Sequence, residues 1–218
     1  MLDVHAPHGP VHGWRDFLVH IAAIAIGLLL ALALEKLVEY MHERRQLTEA
    51  RRELITEIAE NRRKWASNVA EASRIQQQLA ADLKIIQALR AHAPIGEAKF
   101  DYSVNFYATA DGPWQAVRQS GSLSLMPHEE MQTYAWFHGI LTSLMESMHA
   151  FETTLHIGGA IAASAPPDKL SEYDLNELAE KTMEAQGRLV NLRMFLGFEE
   201  SGFAKLSVRP AGSPKNSI

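Results

Sequence analysis

The sequence predicts an all-α protein in which an N-terminal transmembrane helix continues into the longest helix of an elongated antiparallel helical bundle. An eighteen-residue apolar run occupies positions 17–34, although the mean hydropathy of the whole chain is only -0.13. No proline or glycine interrupts positions 35–92. Apolar residues then recur in steps of three, four or seven along the chain, which is the spacing of one helix face.

The apolar run reads FLVHIAAIAIGLLLALAL and contains one strongly polar residue, His20. At about 1.5 Å per residue the run extends roughly 27 Å, close to the thickness of a hydrocarbon core. A cleaved signal peptide ending at 31–33 and a buried core helix are the alternatives. A signal peptide begins with a short basic stretch, whereas Arg15 is the only lysine or arginine before the run. A retained membrane anchor is therefore the favoured interpretation.

Aromatic and basic residues flank the anchor on both sides, and they are expected to lie at the membrane interface. These predicted interface residues are Trp14, Arg15, Lys36, Tyr40, Arg44 and Arg45. Only Arg15 precedes the run, whereas several lysines and arginines follow it within 20 residues. The positive-inside rule then predicts a single-pass membrane protein with its soluble domain in the cytoplasm.

Small residues recur every fourth position inside the run, at Ala23, Gly27 and Ala31. Such a ladder lets a second helix approach closely in the membrane. The ladder predicts helix–helix packing between two anchors.

The chain divides into a flexible N-terminus (1–13), an anchor (14–40), a helical bundle domain (41–206) and a disordered tail (207–218). The long helix is expected to end near Pro94 and to be followed by an irregular connector. A short helix from 114 to 120 should stop at Gly121. Two long helices complete the bundle. One starts at Pro127 and either stops at 158–159 or frays through the following alanines to Pro166, and the other is capped by Ser171 and Asp174.

Three apolar stripes are predicted to form the bundle core, and they include Val69 in the long helix and Met183 in the last helix. Asn61 and Asn68 interrupt the first stripe one heptad apart. Buried asparagines at this spacing would set the register between helices, as in a coiled coil, whereas asparagines at the edge of the stripe would face solvent.

Composition and motifs exclude several kinds of chemistry. The chain has no cysteine, which rules out disulfides and thiolate-ligated metals, and its net charge of -5 argues against nucleic-acid binding. No glycine-rich phosphate loop or hydrolase elbow is present. Glu-x-x-His occurs twice, which invites comparison with di-iron bundles. The weak metal candidates are Glu146, His149, Glu152 and His156, for which surface positions beside the apolar stripe are the better interpretation.

Two segments carry a resemblance to a known group of proteins. Residues 44–61 read RRQLTEARRELITEIAEN, and residues 114–126 read WQAVRQSGSLSLM. In the second segment six residues separate Trp114 from Gly121. Together with the apolar anchor, this arrangement resembles uncharacterised bacterial single-pass membrane proteins that contain a domain of unknown function. The resemblance implies an anchor with a helical domain and implies no activity.

These observations predict a non-enzymatic, membrane-anchored helical scaffold or protein-interaction module without a cofactor. Its expected partners are the lipid bilayer and either a second copy of the chain or another membrane protein. A ligand-sensing helical bundle at the membrane is the alternative, and a metal-binding, di-iron-like bundle is the third hypothesis.

Overall fold

The computed structural model describes residues 13–207 of the chain, and no strand occurs in that range. Its helices are α1 (Trp14–Arg90), α2 (Gly112–Gln119), α3 (His128–Ala162) and α4 (Glu172–Ser207), with 3-10 turns at Ser122–Leu125 and Pro167–Lys169. The predicted all-α fold is confirmed, as is the continuity of the apolar run with the longest helix. The predicted flexible start (1–13) and disordered tail (207–218) lie outside the described residues, except for residues 13 and 207.

The described residues form two units, 13–48 and 49–207. The first unit is the apolar part of α1 and its basic flank. The second unit is a bundle in which the rest of α1 packs with α3 and α4. Its largest core cluster draws on all three helices: Ala72, Ile75, Leu79, Leu144, Met148, Phe151, Leu155, Ala185, Leu189, Leu192 and Leu196.

Contacts along the bundle fix the direction of each helix. Arg51 on α1 pairs with Glu130 at the start of α3, so α1 and α3 run in the same direction from that level. Trp65 donates to the carbonyl of Leu196, and Arg90 donates to the carbonyl of Leu175, so α4 runs opposite to α1. The connector between α1 and α3 must therefore return along α1, from residue 90 to the level of residue 51. That distance is about 58 Å at the rise of an α-helix.

The predicted stripes match the core at most positions, with Val69 and Met183 as exceptions because both are exposed. In α4 the inward positions between Leu178 and Leu189 are taken by Thr182 and Ala185, both of which are buried. A small polar residue and an alanine carry little apolar signal, so the pattern favoured the neighbouring methionine. Met183 therefore lies outside the core.

Local sequence determines the two helix ends that were predicted most sharply. The Ser171 hydroxyl accepts the amide of Asp174 at 3.1 Å, and the Asp174 carboxylate accepts the amide of Ser171 at 3.0 Å. This reciprocal pair is the predicted cap of α4. Helix α2 stops at Gly121, whose φ of 74° is easily adopted only by glycine.

Helix α3 does not stop at Gly158 but continues to Ala162, so of the two predicted ends the later one, among the alanines before Pro166, is found. The glycine makes room for a side chain instead. A Cβ at Gly158 would lie 2.9 Å from Cε1 of Tyr102, which comes from the connector. The hydroxyl of Tyr102 in turn lies 2.7 Å from Oγ1 of Thr182 on α4.

Replacing Gly158 by alanine is therefore expected to lower the free energy of unfolding by about 1 to 3 kcal/mol, because the Tyr102 ring must move. Gly139 on the same helix is the matched control, since a Cβ there would meet no atom within 4 Å. Gly139→Ala should raise the free energy of unfolding by about 0.5 to 1 kcal/mol through helix propensity. Urea unfolding in detergent, followed by circular dichroism, measures both. A stabilising Gly158→Ala would contradict the close contact with Tyr102.

Candidate functional site

The apolar part of α1 has no partner in the described chain. Among residues 13–207, α1 is the one helix long and apolar enough to cross a membrane, with a mean hydropathy of 2.7 over its most apolar eighteen residues. None of that window is buried in the protein. A core helix of a soluble protein would be mostly covered by other elements, so the exposure disfavours the core-helix alternative.

The predicted interface residues are all exposed at the two ends of this segment. Lys36 forms an ion pair with Glu39 at 2.5 Å, and the guanidinium of Arg44 lies 5.6 Å from the centre of the Tyr40 ring. His20 lies one turn into the segment, where its Nδ1 is 2.8 Å from the carbonyl of Asp16. These polar side chains therefore bond within their own helix, and no charged side chain lies in the apolar run between them.

The small-residue ladder also remains uncovered. Ala23, Gly27 and Ala31 are exposed, and a Cβ at Gly27 would meet no atom within 4 Å. This chain supplies no packing reason for the glycine. The ladder is thus available to a second transmembrane helix, as the sequence predicts.

The weak metal candidates do not assemble into a site. Glu146, His149 and His156 are exposed along α3, and Glu152 is half-buried. Within residues 13–207, no group of three or more histidine, aspartate or glutamate side chains is placed to hold a metal ion. The other Glu-x-x-His pair, Glu39 and His42, is exposed on α1.

The most organised polar feature is a ladder of α1 side chains that holds the connector. Asn68 donates to the carbonyl of Tyr107 at 3.0 Å and accepts the amide of the same residue at 2.8 Å. Asn61 does the same to Ala110, at 2.8 and 2.7 Å. Both asparagines are buried and satisfy a peptide group as a neighbouring β-strand would. They therefore fix the register of a connector, and not that of a helix pair.

Three more α1 side chains extend the ladder toward the C-terminal end of α1. Oε1 of Glu71 accepts the amide of Asn105 at 2.9 Å, and Oδ1 of Asp82 accepts the amide of Asp101 at 3.3 Å. Arg74 donates to the carbonyl of Ser103 at 2.8 Å. We call residues 101–110, held in this way, the strap.

The spacing of the rungs shows that the strap is extended. Between Asp82 and Asn61, α1 rises about 32 Å, while the strap covers the same length with nine residue steps. That is about 3.5 Å per step, the reach of a fully extended chain. The strap side chains alternate accordingly: Tyr102, Val104 and Phe106 pack on the core between α1, α3 and α4.

A buried acid and imidazole lie just beyond the strap, where α2 begins. Oε2 of Glu57 accepts the amide of Trp114 at 2.8 Å and so caps α2, whose own cap residue Asp111 makes no side-chain bond there. His138 of α3 stacks on the Trp114 ring at 4.3 Å, with its Nε2 3.1 Å from Oε1 of Glu57. Neither of those two atoms makes a hydrogen bond with a described residue.

Burial shifts the titration of this pair. It raises the pKa of Glu57 to about 7 and lowers the pKa of His138 to about 4, because each charged form loses its solvation. At neutral pH the imidazole is therefore uncharged. The stacking partner that buries His138 lies 24 positions earlier in the chain, so no local pattern in the sequence signals this burial.

Two further acids are buried away from this pair. Burial raises the pKa of Asp82 to about 6 and that of Glu199 to about 8. Neither oxygen of Glu199 has a hydrogen-bond partner among the described residues. The sequence gives no hint of this burial except the position of Glu199, three residues after Leu196 and four before Phe203 on the inward face of α4.

One shallow groove of about 390 Å³ lies where the end of the connector crosses α3. Small residues of α3 form its floor, and Lys99 and Tyr102 line its side. It lacks the convergent polar groups typical of a small-molecule site.

Comparison of the chain with protein-family models, curated proteins and solved structures found no match. A functional interpretation must therefore be argued from the geometry of the protein alone. Most of the bundle's buried polar groups hold the chain's own connector or cap α2. Most of the exposed large apolar side chains among the described residues lie on the N-terminal segment and on α4. This division favours a protein that works through its surfaces.

Proposed function

We propose that this chain is a non-enzymatic, membrane-anchored helical scaffold or protein-interaction module that self-associates. One observation carries the proposal: none of the most apolar eighteen residues of α1 is covered by the other residues that the structure describes. Exposing such a run to water costs about 25 cal/mol for each square ångström of apolar surface, so it requires an apolar environment. A bilayer supplies that environment over the matching length.

The exposed ladder of Ala23, Gly27 and Ala31 supports self-association, because a monomer gains nothing from a glycine there. The count of basic residues on the two sides of the anchor supports a topology in which the bundle domain lies on the cytoplasmic side of the bacterial inner membrane. The strap supports a scaffold in a different way. The buried polar side chains of α1 bond to the strap and so hold the bundle in one conformation. Such rigidity is more typical of a platform for other proteins than of a binding cleft.

Membrane residence is tested by placing two arginines in the segment, as Ile24→Arg with Leu28→Arg. Each arginine near the centre of a span costs about 2.5 to 3.5 kcal/mol of insertion free energy. The wild-type chain is expected to stay in the membrane pellet after alkaline extraction, and the double variant to appear in the supernatant. Ile157→Arg with Tyr173→Arg is the matched control, because both positions are exposed but lie in the bundle. Extraction of the wild-type chain would refute the anchor.

Two measurements separate the anchor from its alternatives. The intact mass of the membrane-bound protein is expected to include the apolar segment, whereas a signal peptide would be missing. A reporter that is active only in the cytoplasm, fused after residue 218, is expected to be active. Activity only of a periplasmic reporter would reverse the topology.

A further inference from the structure

The outer face of α4 carries a regular row of exposed positions. Residues spaced alternately by four and three lie on one face of a helix, as in the seam of a coiled coil. In α4 every such position is exposed from residue 183 to residue 201. We call this row the α4 seam, and its members are Met183, Gly187, Val190, Met194, Gly197 and Ser201.

Large apolar side chains on the seam are unusually open to solvent. Val190 is 70% exposed, Met183 56% and Met194 48%, and Phe198 beside them is 45% exposed. Single exposed apolar residues are ordinary, but a continuous row of them marks an interaction surface. No charged residue belongs to the seam.

Two glycines interrupt α4 on this same face. Glycine in a helix interior costs about 0.5 to 1 kcal/mol relative to alanine, so it needs a reason. At Gly202, also on α4, the reason is visible: a Cβ would lie 2.5 Å from Cδ2 of Phe137. At Gly187 and Gly197 a Cβ would meet nothing within 4 Å. Close approach of a helix from outside the chain supplies the missing reason.

We propose that the α4 seam packs antiparallel against the α4 seam of a second copy of this chain. A two-fold axis level with residue 192 places Gly187 opposite Gly197, Val190 opposite Met194, and Met183 opposite Ser201. Each layer thus joins glycine with glycine or a large side chain with a smaller one, which allows the two backbones to approach. The same axis brings Glu180 of each copy to the level of Lys205 of the other, whose ammonium lies 3.9 Å from the centre of the Trp136 ring in the single chain.

One like-charged pair falls beside the axis, namely the two copies of Arg193. The structure directs this side chain away from the seam, because Arg193 donates a hydrogen bond to Gln76 on α1. The pairing is therefore self-complementary in shape, as an isologous interface requires. It rests on the proposed function in that it locates the self-association of the scaffold on a particular surface of the bundle.

The absence of cysteine from the chain makes a direct test possible. Full-length Val190→Cys and Met194→Cys proteins carrying different tags are reconstituted together in lipid vesicles and mildly oxidised. The expected product is a disulfide between the two differently tagged chains. Replacing either partner with Gln77→Cys, an exposed position on α1, is expected to give no such product. A product of equal yield from Gln77→Cys would overturn the seam, because it would show random collision.

A second variant tests the close approach of the helices. Gly187→Phe places a ring where the single chain has open space, so the helical circular dichroism should be retained while the disulfide is lost. Gly139→Phe makes the same change at an open position on α3 and should leave the disulfide intact. Retention of the disulfide in Gly187→Phe would overturn the proposed packing.

Failure of the seam and failure of the proposed function give different results. If Gly27→Cys chains cross-link in the membrane but the seam pair does not, the scaffold still self-associates and the seam proposal falls. If neither cross-links, both fall. Protection of seam cysteines from a water-soluble maleimide by vesicles, without any disulfide, would show that the seam lies on lipid and would also overturn the pairing.

Discussion

Glu199→Gln is expected to abolish one pH-dependent loss of stability. In the wild-type bundle, ionisation of Glu199 lowers the free energy of unfolding by on the order of 3 to 5 kcal/mol as pH rises from about 4.5 to 8. Glu199 is 1% exposed, and neither of its oxygens has a hydrogen-bond partner in residues 13–207. Burial alone raises its pKa from the usual 4.5 to about 8. Each unit of such a shift corresponds to about 1.4 kcal/mol.

The direction of the effect follows from the order of the two pKa values. Because the folded protein holds this proton more tightly than the unfolded chain, the contribution to stability is complete below pH 4.5. It is lost as pH rises through the folded pKa near 8, where the acid must ionise without a partner. A glutamine cannot ionise, so the variant does not undergo this part of the loss over that range.

Urea unfolding at pH 5 and pH 8, in one detergent, measures this difference. Glu200→Gln is the matched control, because the neighbouring residue is exposed and the chemical change is identical. The wild-type protein and Glu200→Gln should both lose stability, with Glu199→Gln losing much less. Glu57, Asp82 and His138 titrate in all three proteins, so their contributions cancel in the comparison. Equal pH dependence in all three proteins would refute the burial of Glu199 as a source of instability.

The sequence predicts the helices of this chain well because helix formation is signalled locally. Apolar spacing, the cap at Ser171 and the stop at Gly121 each act over a few residues, and each is found in the structure. The apolar segment is recognised in the same way, from length and composition alone. The sequence leaves the end of α3 open, because Gly158 packs against the ring of Tyr102, 56 positions earlier in the chain, and does not end the helix.

The strap was missed for a similar reason, although one signal for it was present. Aromatic or β-branched residues at Phe100, Tyr102, Val104 and Phe106 alternate with polar ones, which is the period of an extended chain. The two asparagines offer a second signal. Seven residues of helix rise about 10.5 Å, which matches three residues of extended chain at about 3.4 Å each. No rule of local sequence connects an asparagine to a peptide group 39 positions away, so neither signal sufficed alone.

The other substitution with a large expected effect is Asn68→Leu, which should lower the free energy of unfolding by about 2 to 4 kcal/mol. Leucine has the same branched shape and the same number of side-chain heavy atoms as asparagine, so no cavity forms. The loss comes from the amide and the carbonyl of Tyr107, which both bond to Asn68 and would be left without a partner. An unsatisfied buried polar group costs about 1 to 3 kcal/mol. Gln77→Leu on the exposed side of α1 is the control, with little expected change.

Hydrogen exchange at the Tyr107 amide distinguishes release of the strap from general weakening of the bundle. In Asn68→Leu this amide should exchange much faster. The exchange rates of amides in the middle of α3 should change only as much as the global free energy of unfolding requires. Unchanged protection at Tyr107 would contradict the ladder.

The double variant Asn61→Leu with Asn68→Leu then decides whether the strap acts as one unit. Asn61 holds Ala110 as Asn68 holds Tyr107, three residues away on the same extended segment. If one substitution already frees the strap, the second has less left to remove, and the combined loss should be smaller than the sum of the two. Strict additivity would show that each asparagine holds its own peptide group independently. In that case the rigidity of the platform would come from the helix core rather than from the strap.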